Sequence, residues 1–319
     1  IVLILVSIIS VASFFYFLDN GLGLAYNDAR SHLNIGRRVV EGLKPGFAQV
    51  GSVWLPLTHI LMVPTIWSDT MWHTGLSGAL QSMISLVATA YVVYFFLRSI
   101  GASLLGRIFG VLVFVANLNI LYLQSTAMTE LLLLATMTAG TYALVQWFKE
   151  EKILYLITAS FWIMCSTLIR YDGWFLFLFA AVTVGLYTLK KKGFKTAEGT
   201  FILFCTLGGF GIALWLLWNL LIFKDMFYFA FGPFSARAQQ EQLEAAGNLA
   251  TKGDILLSLK MYFYAMVYNT GAFTMLLGVI GAICFFFDKR ITTPIKIGSL
   301  ALFSPLLFNI LALYLGHSV

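Results

Sequence analysis

Charged residues are scarce in this chain. Only 11% of its 319 residues are Asp, Glu, Lys or Arg, whereas 60% are hydrophobic, and the mean hydropathy is +0.88. No segment is polar enough to form a separate soluble domain, and there is no low-complexity linker or obvious internal repeat. This composition excludes an ordinary soluble protein and predicts a single membrane domain over residues 1–319.

Common catalytic motifs are also missing from the sequence. There is no P-loop, GxSxG or HExxH pattern. The three cysteines lie inside apolar runs, where thiols pack as small hydrophobic groups, so disulfides are not expected. The apolar amino-terminal run lacks a Met, a basic leading region and an A-x-A cleavage site. We therefore interpret it as a first spanning helix, and we expect that the chain is truncated at one or both ends.

Apolar runs long enough to cross a bilayer recur along the whole chain. Such a run needs roughly 20 residues in a helix. The sequence predicts an all-α, polytopic transmembrane bundle with about nine spans. The approximate ranges are 1–18, 77–97, 104–118, 129–148, 153–169, 174–189, 200–223, 258–287 and 297–315.

The loops between these runs alternate in charge. Four short loops are basic, with Arg98 and Arg107, Lys149 and Lys152, Lys190 to Lys195, and Lys289 to Lys296. Short basic loops stay in the cytoplasm, which predicts a cytoplasmic amino terminus in the plasma membrane. The same bias accounts for the net charge of +6 without a nucleic-acid partner. The complementary loops, about 19–76, 119–128, 170–173 and 224–257, and the tail from His317 then face outward.

The first outward loop contains cations that the orientation rule does not explain. Its stretch "YNDARSHLNIGRR" has helical periodicity from Asp28 to Leu43, and Asn27 is placed to cap the helix. The pattern predicts an amphipathic helix in the membrane interface. The proline-containing segment that follows predicts a second interfacial or re-entrant element. The arginines are either solvated interface anchors or ligand-binding groups.

Further polar residues lie in the other outward loops. Glu130 opens an apolar run, and "LIRYDGWF" places Arg170 and Asp172 in a short turn. Arg237 begins a polar helical stretch. Glu130 and the Arg170–Asp172 pair each have a structural alternative, namely a favoured acid in a first helical turn and a turn-stapling ion pair. His32 follows Asp28 by one helical turn and shares its face.

The order of these segments resembles the GT-C superfamily of membrane glycosyltransferases, in particular the protein O-mannosyltransferase and aminoarabinose lipid A transferase group. The strings "YNDARSHLNIGRRVVEG", "PGFAQVGSVWLPLTH", "TAMTELL", "LIRYDGW" and "GPFSARAQQ" carry the resemblance over essentially the whole chain. It implies that Asp28 is the catalytic base and that Glu130 is a second acid, with both near a divalent metal cation. It also implies a polyprenyl-phosphate sugar donor that enters from the bilayer. The sequence departs from the family in having Asn27 where many relatives have a second acid.

The chemistry of such a transfer suggests roles for the remaining polar residues. A departing lipid phosphate needs positive charge, and arginine forks match phosphate oxygens. The predicted donor-phosphate or substrate-binding residues are His32, Arg37, Arg38, Arg170, Asp172 and Arg237. The sequence thus predicts a glycosyltransferase that acts at the outer membrane face on an acceptor it does not identify. The alternatives are a transporter or flippase for a lipid-linked or anionic substrate, and a non-catalytic subunit of a membrane complex.

Overall fold

The chain folds into helices joined by short connections. The structure is a computed structural model that describes residues 2–51, 53–247 and 249–317, and these ranges contain no β-strand. In chain order the helices are α1 (Val2–Asp19), α2 (Asn27–Val40), α3 (Leu57–Ile66), α4 (Asp69–His73), α5 (Leu76–Ser99), α6 (Leu104–Val115), α7 (Leu118–Gln124), α8 (Glu130–Glu150), α9 (Ile153–Thr167), α10 (Asp172–Lys192), α11 (Phe194–Phe223), α12 (Tyr228–Phe231), α13 (Ala236–Ala245), α14 (Ile255–Thr270), α15 (Ala272–Phe287), α16 (Thr293–Ser299) and α17 (Ser304–Leu315). A helix satisfies its backbone hydrogen bonds internally, and a membrane span needs this because lipid tails offer no hydrogen-bond partners.

Six helical segments of the described chain are long and apolar enough to cross a membrane. They are α1, α5, α8, α10, α11 and the stretch Thr293–Leu315 that contains α16 and α17. Two further pairs are bent, α6–α7 by 66° and α14–α15 by 108°, which gives up to eight spans if each pair counts as one. The predicted span 153–169 corresponds to α9, which has only 15 residues. The prediction of a helical membrane protein is confirmed, whereas the count of about nine is not.

Helix α8 forms the centre of the bundle. In the most apolar 18-residue stretch of α8, 72% of the residues are buried inside the protein, whereas the corresponding fraction for α1 is 17%. Two glycines allow neighbouring helices to approach closely, because Gly140 lies against Ile163 of α9 and Gly298 of α16 lies against Val145. The starting residue of α8, Glu130, is thereby fixed relative to the surrounding helices.

Helix α2 of the first long loop is amphipathic, as its sequence pattern predicts, while its location in the membrane interface stays a prediction. Its apolar face buries Ala29 and Leu33 with Met62 and Ile66 of α3 in one cluster, while the charged residues occupy the other faces. The helix begins at Asn27, but Asn27 does not cap it: Tyr26 is the N-cap residue and makes no side-chain capping bond. The predicted capping role is therefore wrong, because the helix starts one residue earlier than that role requires.

Charged groups mark the two ends of the bundle. At one end Glu151, between α8 and α9, forms ion pairs with Lys191 and Lys192 of α10. At the other end Arg170, between α9 and α10, reaches Glu130 at the start of α8. Two predicted basic loops are thus neighbours at one end, and two predicted outward loops are neighbours at the other.

Candidate functional site

A cavity of about 450 Å³ lies at the Arg170 end of the bundle. One wall is polar and includes Asp28, His32, Arg170 and Asp172. Another part of the lining comes from α17 and is largely apolar, with Phe308, Asn309, Leu311, Ala312 and Leu315. Val53, Trp54 and Leu55 of the first long loop also line it, as do Ala236 of α13 and His317. The cavity therefore offers a charged surface and an apolar surface to the same ligand.

Arg170 organises the charged wall. Its guanidinium donates to Glu130 Oε1 at 2.9 Å, to Thr129 Oγ1 at 3.2 Å and to Asp172 Oδ2 at 3.3 Å. The Arg170 side chain nevertheless keeps 41% of its exposure, so these bonds do not use all of its surface. The arginine both holds two acids in place and remains open to a ligand in the cavity.

The turn that contains Arg170 is fixed by contacts on both sides. Tyr171 donates its hydroxyl hydrogen to the Val53 carbonyl at 2.7 Å and stacks on Phe229 with ring centroids 5.6 Å apart. Burial raises the pKa of Tyr171, so the hydroxyl stays protonated and keeps its donor role. The Leu57 amide donates to the Leu168 carbonyl at 2.9 Å. These bonds join the first long loop to the α9–α10 turn.

Asp28 and His32 enter the cavity from one face of α2, as their spacing predicts. In the part of the chain that the structure describes, Asp28 has no ion-pair partner, although its charge acts on Arg170. His32 is buried, its ring lies 4.4 Å from that of Trp54, and its Nδ1 lies 2.8 Å from Nε2 of His59. Burial, followed by the charge of Arg170, lowers the pKa of His32 to about 4. His32 is therefore neutral at pH 7.

Several predicted site residues lie outside the cavity lining. Glu130 is connected to the cavity lining by the hydrogen bond that it accepts from Arg170. Arg37 is engaged elsewhere: it donates to the Ile66 and Trp67 carbonyls at 3.0 and 2.9 Å and pairs with Asp69. That arrangement joins α2 to α3 and α4 and leaves only 13% of the Arg37 side chain exposed.

The other two arginines make local contacts. Arg38 donates to the Asn34 carbonyl of its own helix at 3.3 Å. Arg237 pairs with Glu241 one turn later at 2.9 Å and lies over the ring of Phe231. Among the four predicted phosphate-binding arginines, Arg170 is the one that lines the cavity in the described chain.

Three residues in or next to the cavity lining were not among the predicted site residues. Nε2 of the buried His59 lies 2.8 Å from Nδ1 of His32, and the Trp54 ring is tilted by 35° to the His32 ring with their centroids 4.4 Å apart. Nδ2 of Asn309, in α17, lies 3.5 Å from Asp172 Oδ1. Asn309 is a polar residue in an apolar run, a pattern that indicates a functional position in a membrane helix. His59 and Trp54 carry no comparable signal, because their importance depends on a neighbour that is distant in sequence.

The described residues include no group of three or more His, Cys, Asp or Glu side chains arranged to hold a metal ion. Glu130 Oε1 already accepts from Arg170, whose positive charge opposes a cation at that oxygen. The divalent metal stays a prediction from the resemblance, and no chemical step is assigned to it.

Comparison with known proteins gives no family for this chain. No protein family, curated protein or solved structure matches it significantly. Function must therefore be argued from the cavity itself.

Proposed function

We propose that the protein is a membrane glycosyltransferase that takes its sugar from a polyprenyl-phosphate donor. The observation that supports this best is the mixed lining of the cavity, which contains Arg170, Asp28 and Asp172 together with apolar residues of α17. A polyprenyl-phosphate sugar has matching parts, since its phosphate suits a guanidinium and its prenyl chain suits an apolar helix. The first turn of α13, at Ala236, borders the same cavity and adds a positive helix end.

Asp28 is the proposed general base. Its carboxylate takes the proton of an acceptor hydroxyl while that oxygen attacks the anomeric carbon of the donor sugar. The bond from that carbon to the phosphate oxygen breaks, and the lipid phosphate leaves with the electron pair. Arg170 compensates the charge that develops on the phosphate. Glu130 and Asp172 act on this step by holding Arg170.

Orientation follows from charge, and we propose that the cavity opens at the outer face. The ion pairs of Glu151 with Lys191 and Lys192 place two basic loops together at the end opposite the cavity. Basic loops of this length favour the cytoplasm. The donor sugar would thus be presented on the outer side of the plasma membrane.

The test is sugar transfer by purified protein in lipid nanodiscs. The probes are undecaprenyl-phosphate and dolichyl-phosphate carrying radiolabelled mannose, glucose or arabinose, with release of labelled sugar to water or lipid A as the readout. We expect Asp28→Asn to lower the rate by about 100-fold or more. Asp19→Asn is the matched control, because Asp19 is an exposed acid at the same end of the bundle that does not line the cavity. Equal rates for Asp28→Asn and wild type would refute the base assignment.

One observation favours a transporter as the second candidate. The bent pairs α6–α7 and α14–α15 resemble the discontinuous helices of transporters. Their bends, at Asn117 and Gly271, border a separate polar cavity and not the one that contains Asp28. Flux of a labelled lipid-linked sugar across sealed proteoliposomes, unchanged by Asp28→Asn, would favour the transporter over the enzyme.

A further inference from the structure

A carboxylate and an amide lie close together where α10 and α17 border the cavity. Asp172 is the first residue of α10 and Asn309 lies in the second turn of α17, and both residues line the cavity. Nδ2 of Asn309 lies 3.5 Å from Oδ1 of Asp172. The rings of Phe175 and Phe308, with centroids 5.9 Å apart, join the same two helices beside them. Helix packing therefore holds the two polar groups near each other.

The hydrogen bonds of Asn309 determine which way its amide points. Nδ2 donates to the Pro305 carbonyl of its own helix at 2.7 Å. A carbonyl oxygen only accepts, so the amide nitrogen, and not the amide oxygen, must occupy that position. The second hydrogen of Nδ2 is left for the side of Asp172, but 3.5 Å exceeds the roughly 2.7–3.2 Å of an ordinary N–H···O bond. This hydrogen is therefore available to a closer acceptor.

Asp172 offers the complementary group. Its Oδ2 accepts from Nε of Arg170 at 3.3 Å, whereas Oδ1 makes only the long contact with Asn309 in the part of the chain that the structure describes. An ionised carboxylate only accepts hydrogen bonds. Because just 11% of the Asp172 side chain is exposed, a hydrogen bond to it is stronger than one at an open surface. The cavity thus presents a donor from Asn309 beside an acceptor from Asp172.

We propose that Asn309 and Asp172 together bind one hydroxyl group of a sugar. A hydroxyl both accepts and donates, so its oxygen accepts from Nδ2 of Asn309 while its hydrogen is donated to Oδ1 of Asp172. An ionised phosphate offers only acceptors and a prenyl chain offers neither, so these parts of a lipid-linked donor cannot satisfy both atoms. The pair recognises the sugar, whereas Arg170 recognises the phosphate. That the hydroxyl belongs to a sugar rests on the proposed function.

Deoxy sugars combined with a variant test this pairing. Kd is measured for full-length protein in nanodiscs with dolichyl-phosphate sugars that each lack one hydroxyl, and with bare dolichyl phosphate as the probe without a sugar. In wild type we expect one deoxy sugar to bind about tenfold or more weakly than its parent, because a hydrogen bond to a charged group is lost. Asn309→Leu should weaken binding of the parent sugar, should largely remove the difference between the parent and that deoxy sugar, and should leave the Kd of dolichyl phosphate unchanged. Asp172 is left intact because it also holds Arg170.

Asn20→Leu is the matched control. Asn20 donates to the Tyr16 carbonyl one turn earlier at 2.8 Å, as Asn309 does to Pro305, but it does not line the cavity. This variant should keep the wild-type Kd for every probe. Asn309→Ala is the second test variant, since it removes the amide without adding a larger side chain.

Hexyl glycosides, which have no phosphate, separate the two possible sources of the hydroxyl. A deoxy penalty that depends on Asn309 assigns the hydroxyl to the donor if it is seen with dolichyl-phosphate sugars, and to the acceptor if it is seen only with hexyl glycosides. Equal deoxy penalties in wild type and both Asn309 variants, or neither binding nor a penalty with any sugar probe, would overturn the proposal. Wild-type protein that binds sugar through Asn309 but transfers none would instead refute the proposed function and leave this inference standing.

Discussion

Gly173, in the turn that carries Arg170 and Asp172, tests whether close helix packing builds the charged wall. A Cβ atom at Gly173 would meet the Ser166 carbonyl and the Thr167 amide of α9. Even the Thr167 nitrogen would be only 2.7 Å away, whereas ordinary van der Waals contact begins at 3.4 Å. These neighbours are backbone atoms, so the clash cannot be relieved by rotating a side chain.

The Ser166 carbonyl connects Gly173 to Arg170. Ser166 O accepts from the amides of Ile169 and Arg170 at 3.1 and 3.3 Å, which closes the turn between α9 and α10. Gly173→Ala must therefore either separate the helices or displace this carbonyl. Overpacking of this kind costs about 1–3 kcal/mol, and a backbone clash belongs at the upper end of that range.

The assay is thermal unfolding of purified protein in nanodiscs, followed by tryptophan fluorescence. We expect Gly173→Ala to lower Tm by several degrees and to lower sugar transfer further than the loss of folded protein explains. Gly278→Ala is the matched control, because nothing lies within 4 Å of a Cβ there. Alanine favours a helix over glycine by up to about 1 kcal/mol, so Tm should be unchanged or higher for this variant. A Gly173→Ala protein as stable and active as wild type would refute the packing argument.

Two further predictions concern the first long loop. Arg37→Ala should cost about 2 kcal/mol or more, because it removes charged hydrogen bonds to two backbone carbonyls that join α2 to α3. Arg38→Ala, which removes one bond within α2, should change Tm little; equal losses for both would contradict the structural role of Arg37. Stability should also fall as pH drops from about 6.5 toward 4, because His32 and His59 have lowered pKa values of about 4 and about 3 in the folded protein and take up protons on unfolding. Tm measured from pH 7.5 to 5 should decline less in His59→Gln than in wild type, and an equal decline would show that the pair is not responsible.

Two helices break at a glycine or an asparagine that lies inside an apolar run. The predicted span 258–287 breaks at Gly271, which has φ of 81°, and the predicted span 104–118 ends near Asn117. Asn117 caps α7 by accepting from two backbone amides. A glycine or asparagine inside an apolar run is a local feature, so these breaks could have been predicted from the sequence.

The sequence by itself determined the class of protein, most of the helix positions and the polar face of α2. These properties depend on composition and on periodicity within a single helix, both of which are local. It also identified Asp28, His32, Arg170 and Asp172, which the structure brings to one cavity.

Only the tertiary structure decided which arginine lines that cavity and which apolar residues complete the lining. Arg37 and Arg170 are both outward-loop cations in the sequence, yet one joins three helices and the other lines the cavity. The apolar part of the lining comes from α17, whose Asn309 is 137 positions from its partner Asp172. His59 is 27 positions from His32. Contacts at such separations depend on how the helices pack, and helical periodicity carries no information about them.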